Sequence, residues 1–146
     1  MKKLLAIVMA MFVCVAVVKA DNEVPVTVNE LPATAQTFIN THFKDKKVAL
    51  AKKETGFFEL SYDVIFTDGN KLEFDRNGNW KEVNCKYSSV PAAVVPQQIS
   101  DYVKANYAGI NILSIEKDDR EYEVRLANRV ELTFTLQFQL LDIDMD

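Results

Sequence analysis

The sequence predicts an α+β fold made as a tandem duplication, a helix followed by about four antiparallel strands, twice over. Three observations lead there. Residues 56–83 alternate apolar and polar side chains and are broken by turn residues at 68–70 and 75–78, the pattern of strand, turn, strand, tight turn, strand. A Pro-started amphipathic segment stands ahead of that stretch. Both features return toward the C-terminus at a nearly constant offset, which is how an internal repeat shows itself.

Residues 1–20 read as a signal peptide. Lys2 and Lys3 form a positive start, 4–18 is an apolar run too short for a comfortable membrane span, and Val18 and Ala20 are small residues at the spacing signal peptidase accepts. Cleavage is expected after Ala20. Phe12 and Val13, just before Cys14, do not fit a lipoprotein signal. An uncleaved anchor is the alternative. The mature chain, residues 21–146, is expected to be a single periplasmic or secreted domain with repeats at about 30–85 and 94–144, and without stable membrane insertion after cleavage. A domain of this length buries about two-thirds of its surface and needs no staples.

Residues 21–29 are polar, lack a helical period and read as an extended lead-in. Leu31 and Pro32 open a helix, because proline's missing N–H costs nothing in a first turn. Asn29 or Glu30 is the expected cap. Leu31, Ala35, Phe38, Ile39 and His42 form the apolar stripe, and the helix ends near Phe43. A short strand is expected at 48–51 and a polar turn at 52–56. The next strand sets Phe58, Leu60 and Tyr62 toward the core, against Phe57, Glu59, Ser61 and Asp63.

Two registers fit the turn at 75–78. A two-residue turn at Asn77 and Gly78 puts Glu73 opposite Glu82. A type I turn with Gly78 left-handed puts Glu73 opposite Lys81 and Phe74 opposite Trp80. Opposite charges across a ladder help and like charges cost, so the second is expected, with Trp80 on the core face.

Residues 87–94, rich in Ser, Pro and Ala, form a linker. Val95 and Pro96 then match Leu31 and Pro32 at an offset of 64, as do Ile99, Tyr102, Val103 and Tyr107 with Ala35, Phe38, Ile39 and Phe43. Tyr122, Glu123 and Val124 match Phe58, Glu59 and Leu60, while Leu132 and Phe134 match Leu72 and Phe74 at an offset of 60. The turn residues at 75–78 are replaced by Thr135, Leu136, Gln137 and Phe138. Unbroken alternation from Val130 to Leu140 would make one long strand; the analogy with the first hairpin favours a turn without a turn signal. Residues 142–146 are expected to fray.

Leu31 and Pro32 with Phe38 and Ile39, the run 72–75 with Asn77 and Gly78, the run 80–83, Val95 and Pro96 with Ile99, Tyr102 and Val103, and Ile115, Glu116 and Lys117 with 122–124 together resemble the PepSY-like, β-lactamase-inhibitor-like proteins exported by Bacteroidetes-type bacteria. The resemblance covers nearly all of the mature chain and is structural rather than catalytic. It implies a curved antiparallel sheet with two helices on one face and the other face open. In the inhibitor family that open face grips a protein enzyme, and PepSY domains are linked to inhibiting or regulating peptidases outside the cytoplasm. Fold alone does not carry function.

Charge and chemistry narrow the classes. The whole chain has net charge −4, and cleavage would remove Lys2, Lys3 and Lys19 and no acid. The acidic mature chain disfavours nucleic acid and anionic lipid. Cys85 is then the one cysteine left and reads as a buried, inert thiol. His42 is the one histidine and reads as a partly buried structural residue, and neither Cys85 nor Ser61 lies in a nucleophile motif. Asp75, Asn77 and Asn79 open like a calcium loop. Gly78 comes at the fourth position rather than the sixth, however, and Lys86 stands where the bidentate Glu belongs, so turn chemistry explains them better. One Cys and one His cannot build a zinc site. No catalytic residue, metal or cofactor is expected. The candidate site is the open sheet face, with Phe57, Glu59, Glu73, Lys81, Glu121, Glu123 and Arg125 as partner-binding residues. The expected function is a non-enzymatic, exported protein-binding module, an inhibitor or regulator of an envelope or secreted enzyme, with an unidentified protein partner. The alternative is a periplasmic small-ligand or cation binder.

Overall fold

The computed structural model describes residues 22–146. The signal-peptide reading of residues 1–20, Cys14 included, lies outside the described residues. The chain runs β1 (Asn22–Val26), α1 (Ala33–His42), β2 (Val48–Thr55), β3 (Leu60–Phe66), β4 (Lys71–Asp75), β5 (Trp80–Asn84), α2 (Gln97–Asn106), β6 (Ile112–Lys117), β7 (Glu121–Leu126), β8 (Val130–Thr135) and β9 (Leu140–Met145). All nine strands form one sheet in sequence order, every neighbouring pair antiparallel.

This corrects the expected fold class. The molecule is not an α+β tandem duplication of a helix with four strands. Among the described residues it is mostly β, a single nine-stranded antiparallel sheet with two α-helices of ten residues each. The sheet continues through the middle of the chain, where Glu82, Val83 and Asn84 pair with Glu116, Ile115 and Ser114. A ninth strand comes from the stretch read as a lead-in, because β1 pairs along β2 from Asn22↔Thr55 to Val26↔Ala51. Recurring apolar spacing reported that these strands share one buried face; it did not report how many strands hydrogen-bond into one sheet.

The core is a row across the sheet. Val64, Leu72, Val83, Ile115, Val124 and Leu132 stand opposite one another on successive strands, and each is fully buried. Side chains of this size contribute about 1.5–3 kcal/mol each on full burial. Both helices cover this face. Phe38 of α1 meets Phe74 edge-on at 5.7 Å, Phe43 stacks on Phe66 at 5.4 Å, and Tyr102 of α2 meets Phe134 edge-on at 5.4 Å. Pro32 and Pro96 precede α1 and α2, as the sequence predicts. Asn29 and Glu30 do not cap α1. The Glu30 carboxylate instead accepts from Thr27 N at 2.6 Å, and Gln36 Nε2 donates to the Leu31 carbonyl at 2.7 Å.

Several local expectations shift. Residues 52–55 continue β2 rather than turning, because Lys52 finds partners on the polar face of the sheet, Glu23 and Glu54, each at 2.8 Å. The turn therefore falls at 56–59. Phe58 leaves the core and stands 85 % exposed, like Phe57, with the two rings 4.5 Å apart. Residues 142–145 pair with β8 instead of fraying.

The turn at 75–78 is a tight four-residue one with Gly78 left-handed at φ 86°, and Phe74 faces Trp80. However, Glu73 faces Glu82, not Lys81. A bulge between Glu73 and Phe74 places both Trp80 and Lys81 against one residue and restores the like-charge pair. Lys81 still reaches Glu73 at 3.6 Å. The last hairpin turns in the same way. Thr135 N donates to Gln139 O, Phe138 N donates to Thr135 O, and Phe138 takes φ 66° where Gly78 stands in the first.

Candidate functional site

One residue along from the buried row, on the opposite face, runs a row of acids. Asp63, Glu73, Glu82, Glu116 and Glu123 occupy directly opposed positions on β3 to β7, followed by Thr133 and Asp142. Period-two alternation makes both rows from the same strands, because each apolar core residue has an acid as its neighbour in sequence. Strands lie about 4.8 Å apart, so five carboxylates stand side by side.

The charges are only partly compensated. Asp63 is 3 % exposed; Lys71 and Lys52 lie 3.3 and 3.7 Å from its Oδ2, and Oδ1 has no hydrogen-bond partner. Burial raises the Glu73 carboxyl above its ordinary value, with Lys81 working against the shift and Asp63 adding to it. Glu116 is raised by desolvation and then by Glu82 and Glu123. Glu123 is raised by desolvation and then by Glu131 and Glu121. Beyond this row, Arg125 pairs with Glu131 at 2.8 Å, and the two line a small polar hollow of about 60 Å³ with Glu82, Asn84, Ser114, Glu116 and Glu123.

The structure gathers Glu73, Lys81, Glu121, Glu123 and Arg125 on β4, β5 and β7. It does not bring Phe57 and Glu59 to them. Those two lie in the β2–β3 turn, beyond the ends of the strands. Sequence reasoning set Asp63 on the polar parity of its strand but left Asp63, Glu82, Glu116 and Glu131 out of the partner-binding set. Their signal was present in strand parity, since Glu116 flanks the core residue Ile115 and Glu82 flanks Val83. The rule against like-charge pairs pointed away from it.

His42 ends α1 with its ring 4.8 Å from Phe38, a half-buried packing residue. Cys85 is buried and free, and desolvation pushes its thiol up. Asp75 Oδ1 accepts from Asn77 N at 2.8 Å and Asn79 N at 3.0 Å, so the residues that resemble a calcium-loop opening are engaged in closing the turn. Among the described residues, no three His, Cys, Asp or Glu side chains come together as a metal site, and no helix is long and apolar enough to cross a membrane.

The family described as "Putative beta-lactamase-inhibitor-like, PepSY-like" matches residues 60–142, from β3 through β9. The chain belongs to this family. The PepSY-like match takes in α2 and leaves out β1, α1 and β2. A crystal structure described as a "putative periplasmic protein from DUF2874 family" of Bacteroides vulgatus is 59 % identical, with a TM-score of 0.84, over 86 % of this chain and 98 % of that one. A second, described as a "putative calcium-regulated periplasmic protein" of Bacteroides thetaiotaomicron, is 54 % identical, with a TM-score of 0.83, over 84 % and 96 %. A third, a "putative periplasmic protein of unknown function" of Bacteroides vulgatus, is 41 % identical, with a TM-score of 0.80, over 84 % and 99 %. No curated protein matches the chain. This PepSY-like chain is periplasmic, as these relatives are described to be.

Proposed function

We propose that this protein is a non-enzymatic periplasmic binding module that recognises a protein partner through its open sheet face, and that it inhibits or regulates an envelope or secreted enzyme. The observation that supports this reading is the acid row: five carboxylates directly opposed on adjacent strands, on the face that neither helix covers. Opposed like charges cost about 0.2–1 kcal/mol a pair, so the row weakens the free protein, and a partner presenting cations would relieve it. Lys81 and Arg125 at its margins would set orientation.

The test is capture from periplasmic extract with the wild type, with Glu82→Lys/Glu116→Lys, and with Phe57→Ala. A partner held by the wild type and Phe57→Ala but lost by the double variant supports recognition through the sheet. Equal capture by all three sinks it.

A second reading, cation binding, has one support, a relative at 54 % identity that is described as calcium-regulated. Tight binding to the folded state raises the melting midpoint in proportion to the logarithm of ligand excess. Calcium should then raise Tm in the wild type and not in Glu82→Gln/Glu116→Gln, whereas an unchanged Tm in both removes this reading.

A further inference from the structure

On the helix side of the sheet, away from the acid row, a groove of about 390 Å³ opens between α1 and the β4–β5 hairpin. That is within the size range of small-molecule sites. The hairpin tip touches the start of the helix. A Cβ on Gly78 would stand 2.8 Å from both Ala35 N and Pro32 Cβ, so only glycine lets the two meet there. Farther along α1, Phe38 and His42 line the groove together with Trp80 of β5. Phe38 is held in place by Phe74, edge-on at 5.7 Å, and by the His42 ring at 4.8 Å. The aromatic lining is therefore built before any ligand arrives.

The polar groups are few and unevenly charged. Thr34, Thr37 and Thr41 follow one edge of the helix. The Thr41 hydroxyl donates to the Thr37 carbonyl at 2.7 Å, while those of Thr34 and Thr37 make no hydrogen bond among the described residues. Lys117 is the one full charge on the lining. Its ammonium lies 5.6 Å from the Tyr122 ring centre and has no carboxylate within ion-pair distance among the described residues. Asp75, Asp118, Asp119 and Lys81 line the adjoining hollow with Lys117; the carboxylates of Asp75 and Asp118 accept from backbone N–H groups of their own turns, and Asp119 makes no ion pair with Lys117. Lys117, with no ion-pair partner among the described residues, is the group at the rim of this preformed aromatic groove that meets an anion directly. Such a groove also favours a flat apolar body.

We propose that this groove binds a small aromatic carboxylate, with its ring against Phe38 and Trp80 and its carboxylate on Lys117. A cationic ligand would meet Lys117 directly, and a purely apolar one would leave it without a counter-charge. The site is independent of the sheet-face reading, since it lies on the other side of the sheet.

Trp80 is the one tryptophan of the chain, so its emission reports occupancy of the groove directly. The probe is phenylacetate, the neutral control is phenylacetamide, and calorimetry runs alongside the fluorescence titration. Phenylacetate should shift Trp80 emission saturably and bind about tenfold more tightly than the amide, the scale of one solvent-exposed charge-assisted hydrogen bond. Lys117→Gln should abolish that preference. Thr37→Tyr, at an exposed helix position, should fill the groove and remove binding of both probes with an unchanged Tm. Glu82→Lys/Glu116→Lys on the far face should leave binding intact. No saturable response to phenylacetate, equal affinity for acid and amide, or a preference that survives Lys117→Gln overturns the proposal. So does binding that survives Thr37→Tyr or is lost in the far-face variant.

Discussion

At the scale of single residues, two positions do the same backbone task with different chemistry. Gly78 and Phe138 each take a positive φ, 86° and 66°, at the closing position of a tight hairpin turn. Glycine does this without cost, whereas a bulky residue does so only when its surroundings hold it there. Phe138 is half-buried against the core, its ring 5.6 Å from Tyr122, and that packing offsets the strain. Gly78 has a second constraint, the contact with Ala35 and Pro32. Gly78→Ala should therefore destabilise the protein by about 1–3 kcal/mol, from left-handed strain together with overpacking. A denaturation midpoint within error of the wild type would show that neither constraint operates. Cys85 illustrates a residue that was legible: a lone apolar thiol was expected to be buried, and it is 1 % exposed. Phe58 was not legible, because its parity continues that of Leu60 and Tyr62, and only the position of the turn at 56–59 removes it from the strand.

At the scale of elements, the hairpins show what alternation can and cannot carry. Strand faces read correctly inside the strands, as for Leu72 and Phe74 or Val124 and Leu126, all buried, and failed where an alternating run continued past a strand end, as at Phe58. Register did not follow from charge. A bulge of one residue moved Glu73 from Lys81 to Glu82, and bulges leave no signal in composition. In the last hairpin the Thr135 hydroxyl accepts from Gln137 N at 3.2 Å and Gln139 N at 3.1 Å, the task Asp75 performs in the earlier one. Thr135→Val keeps the shape and removes the acceptor, so it should cost about 0.5–1.5 kcal/mol. Chemical denaturation measures this, and a neutral result would mean that the register β8 shares with β9 holds the turn without it. Of the candidate site, the parts on β4, β5 and β7 were visible as the polar parity of alternating strands. Glu116 was not joined to them, because strand order and register bring it beside Glu82 across a long stretch of sequence.

At the scale of the molecule, one face is a dry apolar row and the other a crowded acidic one, and pH should act on the second. Glu73, Glu116 and Glu123 have folded values raised above the ordinary 4.5, so the folded chain holds their protons more tightly than the unfolded chain does. Their contribution to stability is fully present below that value and is lost as pH rises through the raised ones. Glu54, lowered mainly by Lys52, and Asp68, lowered mainly by Lys46, act oppositely: their contribution is present above the ordinary 4.5 and 3.8 and is lost as pH falls below them. The two sets together place maximum stability on the acid side of neutrality. Calorimetric melts at low salt should show Tm rising from pH 8 to that maximum and falling below it. In Glu116→Gln/Glu123→Gln the rise should flatten, with a gain at pH 8 of about 0.5 kcal/mol for each opposed pair relieved. A Tm that climbs steadily toward pH 8 would mean the row is not strained.

The amino-acid sequence was sufficient for the properties that depend on near neighbours: the two Pro-started helices, the buried parity of most strands, the tight turn at 75–78 and the burial of Cys85. Each follows from spacing along a few residues. The tertiary structure decided the rest. One continuous nine-stranded sheet replaced a duplicated unit, the β4–β5 bulge set like charge against like, and β3 to β7 came side by side so that scattered acids became one row. Those outcomes rest on backbone hydrogen bonds between strands far apart in the chain, and a strand's own side-chain pattern does not specify which partner it will meet or at what register.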